Sequence, residues 1–206
     1  MRRRRAATIV IAAWAWCAAG ASAYDNRAGF LAHAGFGFPE ENNLRGGLET
    51  GVGLILPILP RLSLAAEYIA WKDTSRTSYG KLYDGTLSLA PIQASLQYEF
   101  YENMYFTAYA LGGVSYIVSH FRIGSYLAAP DVTINQKVNN GFALFGGLGE
   151  NLALSKMVAF YIEASYMRRS LPAQTILHDS TRGDTEIPIT ANLRHVFLKM
   201  GLKFLF

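Results

Sequence analysis

Apolar and polar residues alternate with a period of two along most of this chain. The clearest example is the last segment, where one face carries Val196, Leu198, Met200, Leu202, Phe204 and Phe206. The positions between them include Lys199 and Lys203. Successive side chains leave opposite faces of an extended backbone, so this period predicts a β-strand. A strand that is apolar on one face and bears lysines on the other is typical of a wall between lipid and a polar interior.

The same alternation recurs in seven segments upstream. The eight predicted strands cover residues 27–38, 45–56, 62–71, 85–100, 104–118, 139–154, 158–171 and 189–206. Segments of this length exceed the usual strand of a soluble sheet, which averages about 5–6 residues. In the fourth segment Leu87 and Leu89 are out of phase with the alternation that begins at Ile92, which predicts a bulge near Pro91.

The segments between the predicted strands differ in length. Brief turns follow strands two, four and six, and the turn after strand two contains the prolines of 57–61, which are expected to break the ladder. Longer polar loops are predicted at residues 72–84, 119–138 and 172–188. Short turns at one end and long loops at the other are typical of an all-β, eight-stranded antiparallel up-and-down transmembrane β-barrel.

The first 23 residues have the pattern of an export signal. Four arginines, Arg2–Arg5, precede a short apolar run from Ala6 to Ala19 and the A-x-A sequence Ala21–Ala23. The apolar run is too short to cross a bilayer, so a signal peptide over 1–23 is expected, with cleavage after Ala23. The barrel domain then covers 24–206, and the predicted location is the cell outer membrane.

Removal of this signal changes the charge and cysteine balance. The whole chain has 19 Lys+Arg and 15 Asp+Glu, and four of the arginines lie in the signal, which leaves 15 of each sign. A neutral domain gives no reason to expect nucleic-acid binding. The single cysteine, Cys17, also lies in the signal, next to Trp16, which is too large for a lipoprotein signal. The four histidines lack metal-ligand spacing, so neither a metal nor a cofactor is predicted.

Polar residues on the inward faces of the predicted strands form a belt near their middles. The members of this lumen belt are His33, Glu49, Glu67, Gln93, Tyr109, Glu163, Lys199 and Lys203. An eight-stranded barrel is only wide enough for its own side chains. The belt therefore predicts a packed polar core with Lys199 paired to Glu163, and the alternative is a transport path through the lumen.

The sequence does not predict an enzyme. Paired glutamates can perform acid–base chemistry, but in a barrel interior they are more often packed against lysines. Ser119–His120 and His178–Ser180 fall in predicted loops and lack the spacing of the His and Ser in lipid A deacylases.

Four stretches resemble the OmpW family of small outer-membrane barrels. They are LAPIQASLQYEF (89–100), FTAYALGGVSY (106–116), FALFGGLG (142–149) and AFYIEASYM (159–167). The resemblance implies a narrow eight-stranded barrel associated with passage of small hydrophobic molecules. The ending Gly201–Phe206, GLKFLF, differs from the ending usual in the family, which is similar to Gly-Tyr-Arg-Phe.

The C-terminal residues also resemble the assembly signal of outer-membrane barrels. In this interpretation Phe204 and Phe206 mark the last strand for the barrel-assembly machinery. The expected partners are this machinery, outer-membrane lipid and small hydrophobic solutes. Two functions stay open at this point: an integral barrel that binds or passes such solutes, and a closed barrel whose surface loops serve adhesion or contact with a host or the environment.

Overall fold

The computed structural model describes residues 27–40, 46–75, 85–123, 132–179 and 183–206. The predicted signal peptide and its cleavage site lie outside these residues. The strands are β1 (Gly29–Pro39), β2 (Gly47–Leu59), β3 (Leu62–Ser75), β4 (Gly85–Glu102), β5 (Phe106–Ile123), β6 (Val132–Val138), β7 (Gly141–Ala153), β8 (Val158–Asp179) and β9 (Gly183–Leu205). No helix in these ranges is long and apolar enough to cross a membrane.

Eight of these strands close into an antiparallel barrel, which confirms the predicted fold class. The order around the wall is β1, β2, β3, β4, β5, β7, β8 and β9. The first and last strands complete the circle, paired from Gly29↔Leu205 to Pro39↔His195. Closure gives each of these strands a neighbour on both sides, so the barrel wall has no open edge.

The barrel is apolar on its outer surface and polar in part of its interior. Residues alternate between buried and exposed along each strand, as in β1, where Leu31 and His33 are buried and Phe30 is exposed. The exposed side chains include Phe30, Val52, Tyr68, Ile92, Val114, Leu144, Ile162, Leu198 and Met200. A continuous apolar surface on this scale marks a face that contacts lipid or protein.

The predicted bulge near Pro91 is wrong. β4 keeps one register with β5 from Gly85↔Ile123 to Glu99↔Tyr109, and the irregularity comes between Glu99 and Tyr101. Leu87 and Leu89 point inward, on the same face as Gln93. The interior is polar near Gln93 and apolar towards the end of the barrel opposite the chain termini, which we call the external end. The inward residues of β4 therefore change from polar to apolar, although the strand keeps the same faces throughout.

Within the described residues, the predicted loops at 119–138 and 172–188 contain strand, whereas residues 76–84 of the first predicted loop lie outside the described part of the chain. β8 and β9 stay paired through 172–188, up to Asp179↔Gly183. β6 adds to this hairpin, pairing with β8 from Val132↔Asp179 to Val138↔Ala173. The pairing with β6 gives this extension three strands, which supports a hairpin that would be marginal by itself. Its polar composition resembles that of a loop, so the sequence did not reveal it.

Two smaller differences concern strand ends. β2 continues past Pro57 to Leu59, with a register irregularity between these residues, and the chain turns at Pro60–Arg61. β5 extends to Ile123, so Ser119 and His120 belong to a strand and not to a loop. Neighbouring residues of a strand point to opposite faces, which keeps the side chains of Ser119 and His120 apart.

Candidate functional site

The inward face of the barrel brings the lumen belt together near the middle of the strands. The structure places all eight belt residues on this face, and all are buried: His33, Glu49, Glu67, Gln93, Tyr109, Glu163, Lys199 and Lys203. Among the described residues, no group of three or more His, Cys, Asp or Glu side chains is placed to hold a metal ion.

Lys199 is the centre of the belt. Its Nζ lies 2.8 Å from Glu163 Oε1 and 3.3 Å from Glu67 Oε2. Tyr109 OH donates a hydrogen bond to the other oxygen of Glu163, at 3.2 Å. The ammonium group of Lys199 is thus held between carboxylates from two other strands, the arrangement that makes a buried charge tolerable.

A histidine and a second tyrosine extend this network. His33 Nδ1 lies 3.5 Å from Glu67 Oε2 and 3.0 Å from Tyr161 OH. Tyr161 was not among the predicted belt residues. The signal was present in the sequence, because Tyr161 is two residues from Glu163 on the same strand and so shares its face.

Lys203 lies apart from the ion pairs, one inward position nearer the C-terminus than Gly201. Its Nζ donates to Gln97 Oε1 at 3.4 Å. The same Nζ lies 4.6 Å from the centre of the Tyr109 ring and 5.2 Å from that of Tyr161. These rings stabilise the cation through their negatively polarised faces.

The last two belt residues, Glu49 and Gln93, each have a side-chain oxygen outside the hydrogen-bond network. Glu49 Oε1 and Gln93 Oε1 have no hydrogen-bond partner among the described residues. Glu49 lies over the backbone of Gly35, where a Cβ atom would come within 2.6 Å of Glu49 Oε1. The belt as a whole holds three carboxylates and two lysine ammonium groups.

Inward-facing glycines provide the space for the large belt side chains. A Cβ atom at Gly51 would lie 2.4 Å from His33 Cε1, and one at Gly149 would lie 2.3 Å from Tyr109 Cζ. At Gly201 a Cβ atom would lie 2.8 Å from both His33 Cβ and Tyr161 Cε1. The narrow interior therefore fits these rings only because the neighbouring strands carry no side chain there.

Apolar layers enclose the belt on both sides. The external layer contains Trp71, Leu87, Leu89, Leu111, Ile117, Val138, Ala143, Phe145, Met167, Ala173 and Phe197. Its rings pack edge to face, with Trp71 and Phe197 centroids 5.1 Å apart at 85°. At the end of the barrel that holds the chain termini, Leu31 and Ile55 pack with Tyr161. Side chains thus fill the lumen at three successive levels.

A cavity of about 540 Å³ lies in the wall near the external end of β2–β5. Its outward-facing lining is mostly small or polar: Leu48, Thr50, Ala70, Lys72, Ser88, Ala90, Val118 and His120. Its inward-facing lining consists of Trp71, Leu89 and Ser119.

The strand ladder is interrupted beside this cavity. β3 and β4 pair at Tyr68↔Ile92 and again at Trp71↔Leu89, with no pairing of the residues between. Pro91 lies in this interval and has no N–H to donate to a neighbouring strand. Small side chains at Ala70 and Ala90 leave the interrupted part of the wall uncovered.

The ion pairs of Lys199 predict a large effect of Lys199→Met on stability. Removal of one partner from a buried ion pair leaves uncompensated charge and costs about 3–5 kcal/mol. We therefore expect the free energy of unfolding, measured with urea in detergent micelles, to fall by about this amount. Lys156→Met, in the exposed turn after β7, should change it by less than about 0.5 kcal/mol. Equal stability of the two variants would contradict a dry, ion-paired belt.

Comparison with known proteins gives structural neighbours only. No protein-family model matches the chain, and no curated protein matches it either. The outer membrane protein OprG from Pseudomonas aeruginosa has a TM-score of 0.71 at 16% identity, over 91% of this chain and 98% of that chain. Neisserial surface protein A has a TM-score of 0.56 at 14% identity, over 87% of this chain and 97% of that one.

A third neighbour is the outer membrane protein AlkL, solved in lipid bilayers. Its TM-score is 0.52 at 14% identity, over 91% of this chain and 94% of that chain. At such identities the likeness is one of fold. The chain therefore has the closed eight-stranded barrel fold found in small outer-membrane proteins.

Proposed function

We propose that this protein is an integral outer-membrane β-barrel that binds small hydrophobic molecules at the cavity in its wall and passes them laterally. The observation that carries the proposal is the interrupted β3–β4 ladder at Pro91, beside the cavity of about 540 Å³. The proposed location rests on the apolar outer surface, the predicted signal peptide over 1–23 and the fold of the structural neighbours.

The apolar composition of the outer surface suits contact with lipid better than contact with water. Strands of nine to eleven residues suffice to cross a bilayer at a tilt, and each barrel strand here has at least 11 residues. Aromatic side chains pack together near both ends of the wall, as Phe30 with Phe206 and Tyr116 with Phe142. Such girdles are typical of the two membrane–water interfaces.

The C-terminal strand fits a role in barrel assembly. Phe204 and Phe206 are both exposed on the outward face, with 45% and 65% of their surface accessible. The Phe206 N–H donates to the Ala28 carbonyl at 2.9 Å, so this residue lies at the seam between β9 and the start of the barrel. We infer that the barrel-assembly machinery recognises this segment.

The filled lumen supports a lateral route in place of a pore along the barrel axis. The ion-paired belt and the apolar layers on both sides occupy the interior with buried side chains, which favours a route that avoids the barrel axis. The wall cavity, in contrast, combines apolar side chains such as Leu48, Leu89 and Val118 with small and polar ones, and its apolar part suits a hydrophobic molecule that enters or leaves through lipid. Such a protein should show no stepwise ion conductance in planar bilayers.

The membrane placement predicts depth-dependent costs of charge on the outer surface. Leu198→Arg puts a cation on the outward face among Phe36, Val196 and Met200, and should lower the free energy of unfolding in lipid vesicles by about 2–4 kcal/mol. Leu154→Arg, in the exposed turn after β7, should cost about 0–1 kcal/mol because it lies at the interface. Equal effects of the two substitutions would argue against a hydrocarbon-facing wall.

Filling the wall cavity should block the lateral route. Ala90→Trp places a large ring on the outward face at the cavity, and Pro91→Ala restores an N–H that can close the ladder. Both should lower the uptake of a fluorescent naphthylamine probe into proteoliposomes severalfold. The matched controls are Ala94→Trp, outward on the same strand away from the cavity, and Pro57→Ala near the periplasmic end of β2. Undiminished uptake by both cavity variants would refute the lateral route.

Surface display is a second candidate, favoured by the hairpin of β8 and β9. Their pairing continues from Arg169↔Leu193 to Asp179↔Gly183, beyond the last residue pair of β7 with β8 at Leu144↔Arg168. This hairpin projects a structured surface on the external side. Replacing residues 174–187 with a two-residue turn should abolish cell or matrix adhesion without affecting probe uptake if this surface binds a ligand.

A further inference from the structure

Two arginines face each other at the external boundary of the apolar surface. Arg168 on β8 and Arg194 on β9 are direct cross-strand partners. Both side chains are exposed, while their chain neighbours Met167 and His195 are fully buried inside the barrel. The two guanidinium groups therefore leave the same, outward face of the wall.

Like charges placed directly opposite each other in a sheet destabilise it. Among the described residues, neither Arg168 nor Arg194 forms an ion pair with a carboxylate. One carboxylate is close in the fold: the backbone N–H of Glu40 donates to the Arg194 carbonyl at 2.9 Å. Its side chain, however, accepts a hydrogen bond from Tyr166 OH at 3.4 Å. One acid beside two arginines leaves an excess of positive charge.

The position of the pair identifies the kind of anion it would meet. Tyr166 and Val196, the next outward residues towards the periplasm, are partners of each other and belong to the apolar surface. In the other direction the hairpin carries exposed polar residues such as Thr185 and Glu186. The arginines thus lie where hydrocarbon gives way to head groups, the level at which long cationic side chains extend from an apolar wall.

We propose that Arg168 and Arg194 together bind a phosphate group of a phosphorylated lipid in the outer leaflet. The planar fork of a guanidinium group matches phosphate oxygens in a bidentate geometry. Two such forks on adjacent strands can hold one phosphate from both sides, while its acyl chains lie along Tyr166, Val196 and Leu198. The proposal rests on the membrane placement of the proposed function and is independent of the lateral route.

Stability in vesicles of defined composition tests this site. The full chain is refolded into phosphatidylcholine vesicles, with or without a minor fraction of bisphosphorylated lipid A, and its urea unfolding midpoint is measured. We expect lipid A to raise the midpoint. Dephosphorylated lipid A should not raise it, and neither should inorganic phosphate added to neutral vesicles. A rise of equal size with inorganic phosphate would overturn the assignment to a lipid.

Charge variants locate the effect. The double variant Arg168→Gln with Arg194→Gln should lose the rise in unfolding midpoint that lipid A causes. The double variant Arg168→Lys with Arg194→Lys should keep part of the rise, because lysine retains the positive charge but not the planar, bidentate guanidinium group. Glu40→Gln should enlarge the rise by removing the adjacent acid. Lys156→Gln, an equal loss of charge per site at the periplasmic turn, should keep it. A full rise in the double glutamine variant would refute the site.

The same experiment separates this proposal from the one on which it rests. Insertion of the wild-type chain into neutral vesicles tests the membrane placement, since it needs no lipid phosphate. Failure to insert would refute that placement, whereas insertion with no response to lipid A would refute only the arginine site.

Discussion

Backbone hydrogen bonding across the seam between β1 and β9 is the constraint on which the other features depend. A strand wall surrounded by hydrocarbon has no water to satisfy an open edge, so only a closed barrel is stable there. The seam is long, from Gly29↔Leu205 to Pro39↔His195. Once it is closed, the alternation of each strand divides the chain into a lipid-compatible surface and a confined interior.

Confinement then determines what the interior can contain. With eight strands, the bore is about as wide as the side chains that fill it. Large rings fit where a neighbouring strand has glycine, as His33 does at Gly51 and Tyr109 at Gly149. Because charged groups in this space must be paired, Lys199 is held between Glu67 and Glu163. An interior so occupied is the reason why the proposed route for solutes lies at the wall, where the β3–β4 ladder is interrupted at Pro91.

The sequence was sufficient for the barrel and for the orientation of its inner residues. A period of two fixes which face each side chain takes, and this alone placed Glu163 and Lys199 on one surface. The period of two could not place the apolar external layer. Leu87 and Leu89 suggested that the strand changes faces at a bulge, whereas they face the interior like Gln93 and the interior itself becomes apolar at that level. The hairpin of β8 and β9 also escaped prediction, since its polar residues and prolines resemble a loop.

Contacts between distant strands were equally hard to foresee. The cavity depends on which small residues become neighbours, and Ala70, Ala90 and Thr50 come from three different strands. The inward face of Tyr161 could be predicted from the sequence, but its hydroxyl contact with His33 depends on the height of each strand in the wall. Periodicity gives the face of a residue but not the vertical stagger between strands.

The long pairing of β8 with β9 has a consequence for the order of folding. These two strands are adjacent in sequence, so their hairpin closes a short loop at low entropic cost, whereas the seam joins residues near opposite ends of the described chain. The hairpin can therefore form early, and closure of the barrel comes late. Until then β1 and β9 each present an unpaired edge, and the nascent protein is most vulnerable to pairing with other chains at this stage.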